Sequence, residues 1–167
     1  MGILIVDDSR DERTLISTRL STAGYGSLMM ADSAEAAFGM LGLDRPGQKP
    51  EEIDLILMDI MLPGVDGLEA CRQIKATEWL QDIPIIVITV KTDEKDLLTA
   101  FAAGAMDYIH KPVSPAELTA RVSSALTLRE ERNTRKAREQ ELLLRTQDLE
   151  QALREVKVLR GFIPICA

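Results

Sequence analysis

The feature that most constrains the fold of this 167-residue chain is an alternation between short apolar runs and amphipathic segments. Segments with helical periodicity lie near residues 10–23, 33–41, 67–77 and 93–103. The apolar runs between them are ILIV at 3–6, SLMM at 27–30, LILM at 55–58, IIVI at 85–88 and YI at 108–109. Apolar strands that alternate with helices are typical of a parallel sheet covered on both faces. The sequence therefore predicts an α/β fold with a doubly wound, five-stranded parallel sheet.

Charge is distributed unevenly along the chain. Residues 1–128 carry 11 Lys and Arg against 20 Asp and Glu, a net charge of −9, and residues 129–167 carry 9 against 7, a net charge of +2. The two values sum to the −7 of the whole chain. Phosphate backbones require cationic surfaces, so an acidic globular part argues against direct binding of nucleic acid by this chain.

The N-terminus and the cysteines indicate the compartment. The first apolar run has four residues before two acids, too few for a signal peptide or a membrane span. Cys71 and Cys166 lie far apart and show no paired spacing, which favours a reducing environment. We therefore expect a cytoplasmic protein that does not associate with membranes.

Several acidic residues are explained by helix starts. A capping box places a short polar residue three positions before a Glu, and it satisfies the first amide groups of a helix. Four segments fit this pattern, beginning at Ser9, Asp32, Asp66 and Ser114. Asp66 is therefore predicted to cap a helix. Asp59 does not fit this pattern, because a Pro-Gly turn separates it from the next helix start. Asp7 and Asp8 are not needed as caps either, because Ser9 supplies the cap. These three residues are called the surplus acids.

The surplus acids are expected to meet at one edge of the sheet. The carboxyl ends of parallel strands face a common crevice, where Asp7 and Asp8 end the first strand and Asp59 ends the third. Asp54 lies at the other end of the third strand, roughly 16 Å from Asp59 at about 3.3 Å per residue, and is excluded. Three carboxylates in one pocket repel one another unless their pKa values rise or a cation binds. Mg²⁺ is the expected cofactor, since it accepts a few carboxylates together with water and phosphate oxygens.

Two further polar residues follow the neighbouring strands. Thr89 ends the fourth apolar run, and Lys111 follows the fifth. A hydroxyl donor, an ammonium group and a metal beside carboxylates form a receptor for a phosphoryl group, in which Asp59 can act as a nucleophile that yields an acyl phosphate.

Residues 2–127 resemble the receiver domains of two-component response regulators. The resemblance is carried by ILIVDDS, LILMDIMLPGVDG, VIT and GAMDYIHKPV, in this order and at the family's spacing. It implies a flavodoxin-like sheet of order 2-1-3-4-5 and a Lys111-Pro112 peptide bond that is cis. It also implies these roles: Asp59 as phosphoacceptor; Asp7, Asp8, Asp59 and the Met61 carbonyl as Mg²⁺ ligands; Thr89, Lys111 and Tyr108 as catalytic or switch residues.

Beyond Ser114 the sequence predicts one long helix, because no Gly or Pro follows Pro115 until Gly161. Leu142, Leu149 and Val156 recur every seven residues, which favours a coiled coil and a homodimer over an isolated amphipathic helix. The predicted organisation is a receiver domain over 1–128, a signalling helix over 129–160 and a terminal segment over 161–167 that can begin a truncated output module.

Three functions remain open on the sequence. The first is a phospho-switch, not itself an enzyme, that accepts its phosphoryl group from a sensor histidine kinase or a phosphotransfer protein and relays its state to the helix or an output. The second is a phosphatase-type enzyme with an aspartyl-phosphate intermediate. The third is a pseudo-receiver used only for dimerisation. The intact set of acids argues against the third, and the second would require a positioned general acid and a substrate cap, neither of which is evident in the sequence.

Overall fold

The computed structural model describes residues 1–45, 52–91 and 93–161. It divides into two units, Met1–Arg129 and the chain from Glu130 onward. The strands are β1 (Gly2–Val6), β2 (Ser27–Ala31), β3 (Leu55–Asp59), β4 (Ile85–Thr89) and β5 (Asp107–His110). The helices are α1 (Arg10–Thr22), α2 (Ala34–Leu41), α3 (Gly67–Ala76), α4 (Glu94–Ala102) and α5 (Pro115–Gly161).

The first unit is built on one parallel sheet of order β2-β1-β3-β4-β5. All four neighbouring pairs are parallel, as the alternation of strands and helices requires. The predicted fold class and strand order are therefore confirmed. At the amino edge of the sheet, Asp54 accepts a hydrogen bond from the Gly2 amide at 3.0 Å. This places Asp54 away from the carboxyl edge, as predicted.

Two apolar clusters cover the faces of the sheet. One packs α2, α3 and the end of α4 on one face. The other packs α1 and the first three turns of α5 on the opposite face, where Leu118, Val122 and Leu126 are buried. Strands β1, β3 and β4 are buried at every position, whereas β2 lies at an edge and is partly exposed. The core thus fixes the three central strands, whose carboxyl ends carry the surplus acids and Thr89.

Side-chain caps fix most helix starts. Ser9 accepts from the Glu12 amide, Asp66 from the Glu69 amide and Ser114 from the Glu117 amide, so three of the four predicted caps are observed. The predicted cap at Asp32 is wrong. Helix α2 begins one residue later than that box requires, and Ser33 accepts the Ala36 amide at 3.1 Å.

Helix α5 continues into the second unit, and every residue from Glu130 to Gly161 is exposed. The pairing of this segment into a coiled coil stays a prediction. Among the described residues, no helix combines the length and the apolarity that a membrane span requires. The loop around 46–51 and the terminal residues 162–167, including Cys166 and most of the predicted output segment, lie outside the described part of the chain.

Candidate functional site

Three carboxylates meet at the carboxyl edge of the sheet. Asp7 and Asp8 follow β1 directly, and Asp59 is the last residue of β3, the strand that pairs with β1. One oxygen from each of the three groups lies within 4.8 Å of the others. Asp7 and Asp59 are buried, with 1% and 4% of their surface exposed, and Asp8 is open to solvent. These hard oxygen donors at one opening suit a divalent cation such as Mg²⁺.

Lys111 bridges the two buried acids. Its Nζ donates to Asp7 Oδ2 at 2.9 Å and to Asp59 Oδ2 at 3.1 Å. The side chain is 15% exposed, so these are largely desolvated ion pairs. The position is fixed by the backbone: the Lys111 amide donates to the Thr89 carbonyl at 2.8 Å, and the following Lys111-Pro112 bond is cis, as the resemblance implied.

Burial and the bridging lysine shift the pKa values of both partners. Burial raises the pKa of Asp59 above its usual value, and the Met61 amide and Lys111 oppose this shift. Burial by itself would lower the pKa of Lys111, but its hydrogen bonds to Asp7 and Asp59 outweigh that effect and raise it. Lys111 is therefore an ammonium ion at neutral pH, and it supplies the positive charge that the buried acids require.

The backbone after each buried acid holds its other oxygen. The Ser9 amide donates to Asp7 Oδ1 at 2.8 Å, and the Met61 amide donates to Asp59 Oδ1 at 3.0 Å. Each carboxylate is thus oriented by the residue two positions further on. This arrangement places the Met61 amide beside Asp59, and the role of the Met61 carbonyl as a metal ligand stays a prediction.

Thr89 ends β4 beside Asp59, and its side chain is 1% exposed. The two strands are paired, with Asp59 opposite Ile88. Thr89 Oγ1 accepts the Lys91 amide at 3.0 Å. In this bond the hydroxyl oxygen is the acceptor, so its own hydrogen can be donated to a second group.

Tyr108 lies further from the acids, on β5, and is half-buried. Its ring packs edge-on against Phe101 and His110, with centroid distances of 6.0 and 5.0 Å. The Arg121 guanidinium lies over the ring, 5.6 Å from its centroid, and also pairs with Asp107 at 2.7 Å. The ring is therefore held among α4, β5 and α5, and not against the acids.

Two residues at the site were not predicted. Arg13, on α1, donates from Nη1 to the Asp7 carbonyl at 2.5 Å. Gly67 begins α3 so close to β3 that a Cβ there would lie 2.0 Å from the Asp59 carbonyl oxygen. The only sequence signal for Arg13 is that it is a basic residue within the acidic stretch DDSRDERT. The role of Gly67 follows from backbone packing that the sequence does not display.

Comparison with known proteins gives a consistent result. The family model described as the response regulator receiver domain matches residues 3–123. Among curated proteins, the phosphate regulon transcriptional regulatory protein PhoB of Pseudomonas aeruginosa is 44% identical over 124 residues, which are 74% of this chain and 51% of that protein. YvrH of Bacillus subtilis, a transcriptional regulatory protein, is 40% identical over 125 residues, covering 75% and 48%. This chain therefore spans about half the length of these relatives.

Solved structures agree with the sequence matches. The receiver domain of NtrX from Brucella abortus aligns with a TM-score of 0.64 and 30% identity, over 75% of this chain and 98% of that domain. The chemotaxis protein CheY4 of Vibrio cholerae aligns with a TM-score of 0.66 and 25% identity, over 75% and 98%. Both alignments cover about three quarters of this chain and nearly all of the structure compared.

Proposed function

The chain belongs to the family of response regulator receiver domains of two-component signalling, and on this premise we propose that it is a phospho-switch whose phosphoacceptor is Asp59. The observation that supports this proposal best is the bridge from Lys111 to Asp7 and Asp59, with Asp8 at the opening. This arrangement leaves a nucleophilic carboxylate beside both a cation and a metal-binding donor set.

We propose that Mg²⁺ binds to Asp7, Asp8, Asp59 and the Met61 carbonyl. Receiver domains generally bind Mg²⁺ at an acidic pocket, and the three carboxylates here supply the required oxygen donors. When bound, Mg²⁺ would offset negative charge on the oxygens of the transferring phosphoryl group. Lys111 adds a second positive charge from the protein itself.

The proposed chemistry is one phosphoryl transfer. An Asp59 carboxylate oxygen attacks phosphorus, the bond from phosphorus to the donor's imidazole nitrogen breaks, and that nitrogen retains the electron pair and is protonated. Lys111 holds a phosphoryl oxygen by charge, and the Thr89 hydroxyl donates its hydrogen to another. Lys111 already lies beside Asp59, and Thr89 would move toward the phosphoryl oxygens as the transfer proceeds.

Receiver domains of this family interact with histidine kinases or phosphotransfer proteins. We propose that a phosphohistidine on such a protein is the donor here.

The new phosphoryl group would draw Thr89 toward it, and the Tyr108 ring would turn into the space that Thr89 leaves. Both packings exist before phosphorylation, which shifts their populations and so changes the surface of α4 and β5. The state would then pass to α5, through which we propose that the protein forms a homodimer in the cytoplasm.

A phosphodonor assay tests this function against its alternatives. The chain is incubated with acetyl phosphate and Mg²⁺, and incorporated phosphate is counted per chain. A phospho-switch gives labelling that saturates near one group per chain and is lost in Asp59→Asn. Continuous release of phosphate at high turnover would instead identify a phosphatase-type enzyme, and absence of labelling in the folded protein would identify a pseudo-receiver.

A further inference from the structure

The second unit carries an apolar stripe whose described residues are exposed. Leu142, Leu149 and Leu159 are 62%, 66% and 66% exposed, and Val156 is 47% exposed. At about 100° per residue, these side chains and Ala152 lie within about a third of the helix circumference. A stripe of this width is the expected contact face of a helix that packs against another helix.

The charges beside the stripe are asymmetric. In a heptad with Leu142, Leu149 and Val156 at a, the g positions are all acidic: Glu141, Asp148 and Glu155. The e positions on the other edge are Thr146, Leu153 and Arg160, with no acid. Hence one edge of the stripe is uniformly negative and the other is neutral to positive.

This asymmetry selects the orientation of a partner helix. In an antiparallel pair of identical helices, the g edge of one faces the g edge of the other, and the two acidic edges would repel. In a parallel pair each g edge faces an e edge, so Glu155 of one copy lies near Arg160 of the other. We infer that a second copy of this chain packs on the stripe in parallel and in register, an inference that rests on the proposed homodimer.

Arg145 sets the strength of this pairing. It occupies the first d position, where two copies would place guanidinium groups together. Its Nη2 instead donates to Glu141 of its own helix at 2.7 Å, and the side chain is 71% exposed. The guanidinium group therefore lies toward the acidic edge and away from the seam, which is the line of a and d side chains along which two copies would meet. The dimer is consequently weaker than an all-apolar seam would make it, and it dissociates reversibly.

Sedimentation of the full chain tests the seam with a matched pair of leucines. Leu149→Glu places a charge in the seam of both copies and should weaken dimerisation by at least about a hundredfold. Leu143→Glu makes the same change on the opposite side of the helix, at a residue that is 62% exposed, and should leave the dissociation constant within about threefold. Arg145→Leu should tighten the dimer at least about tenfold. A monomer at all concentrations, or equal effects of the two glutamates, would overturn the inference.

Disulfide cross-linking tests the orientation. In a Cys166→Ser background, Leu142→Cys and Leu159→Cys chains should each form homodimers on oxidation, whereas Gln147→Cys, on the far side of the helix, should not. The two single-cysteine variants are also mixed before oxidation. If disulfides then form only between a Leu142→Cys chain and a Leu159→Cys chain, the packing is antiparallel and the inference is refuted. Labelling of Asp59 by acetyl phosphate is measured on the same variants, so a failure of dimerisation is distinguished from a failure of the phospho-switch.

Discussion

At the scale of single residues, the site depends on the charge balance between two buried carboxylates and one ammonium group. Asp7 and Asp59 are nearly inaccessible to water, and Lys111 contacts both. The sequence placed these residues at strand ends, because parallel strands share a carboxyl edge. It did not reveal that Arg13 holds the Asp7 carbonyl, since that contact depends on how a long side chain lies in the folded protein.

Lys111→Met should destabilise the metal-free protein. Removing the bridging ammonium leaves two buried carboxylates uncompensated, which costs about 2–4 kcal/mol of unfolding free energy. Urea denaturation in the presence of a chelator measures this loss, and added Mg²⁺ should restore part of it. Lys91→Met is the matched control, because Lys91 is 43% exposed and its pair with Asp96 spans 3.6 Å. Equal losses in the two variants would show that the bridge does not offset buried charge.

Cys71 should be unreactive in the folded protein. Burial raises the pKa of its thiol to about 12, so almost no thiolate forms at pH 8. In Cys166→Ser, a disulfide reagent should therefore label Cys71 only after denaturant is added. The same shift predicts that stability is unaffected below about pH 8, where the thiol is protonated in both states. Above that pH the unfolded thiol ionises first, and stability falls more steeply than in Cys71→Ala.

At the scale of helices and strands, the sequence predicted most of the fold. The central strands were found because their Ile, Leu and Val runs are buried on both faces. Strand β5 extends to Asp107–His110, beyond its two-residue apolar core, because it pairs with β4 along that length. The start of α2 was misplaced by one residue because Asp32 and Ser33 are both good caps, and only the backbone decides between them.

Gly67→Ala tests how closely α3 must approach the phosphoacceptor strand. The added methyl group would collide with the Asp59 carbonyl, so the variant should lose about 1–3 kcal/mol of stability and accept phosphate more slowly. Gly39→Ala provides the control within α2, since a Cβ there has no neighbour within 4 Å. That variant should gain about 0.5–1 kcal/mol. Thermal denaturation and labelling rates are measured for both variants. Unchanged stability and labelling in Gly67→Ala would contradict the predicted collision.

At the scale of the whole molecule, the chain is divided into two units of different charge and burial. The first has apolar clusters on both faces of its sheet and an acidic crevice, and in the second every residue from Glu130 to Gly161 is exposed. Sequence periodicity predicted strands from the apolar runs and a helix stripe from the seven-residue repeat. Periodicity alone does not identify the partner that covers that stripe, and the charges on its two edges are what favour a parallel second copy.

The identity of the residue that receives the phosphoryl group, Asp59 in this proposal, can be measured directly. Borohydride reduces an acyl phosphate to an alcohol, so treatment of the labelled protein followed by peptide mass mapping identifies the residue that carried it. With acetyl phosphate and Mg²⁺, we predict that the aspartate at position 59 is converted to homoserine, and that omitting Mg²⁺ or substituting Asp8→Asn greatly reduces the yield. Conversion at a different acidic residue, or labelling that does not depend on Mg²⁺, would contradict the proposed site.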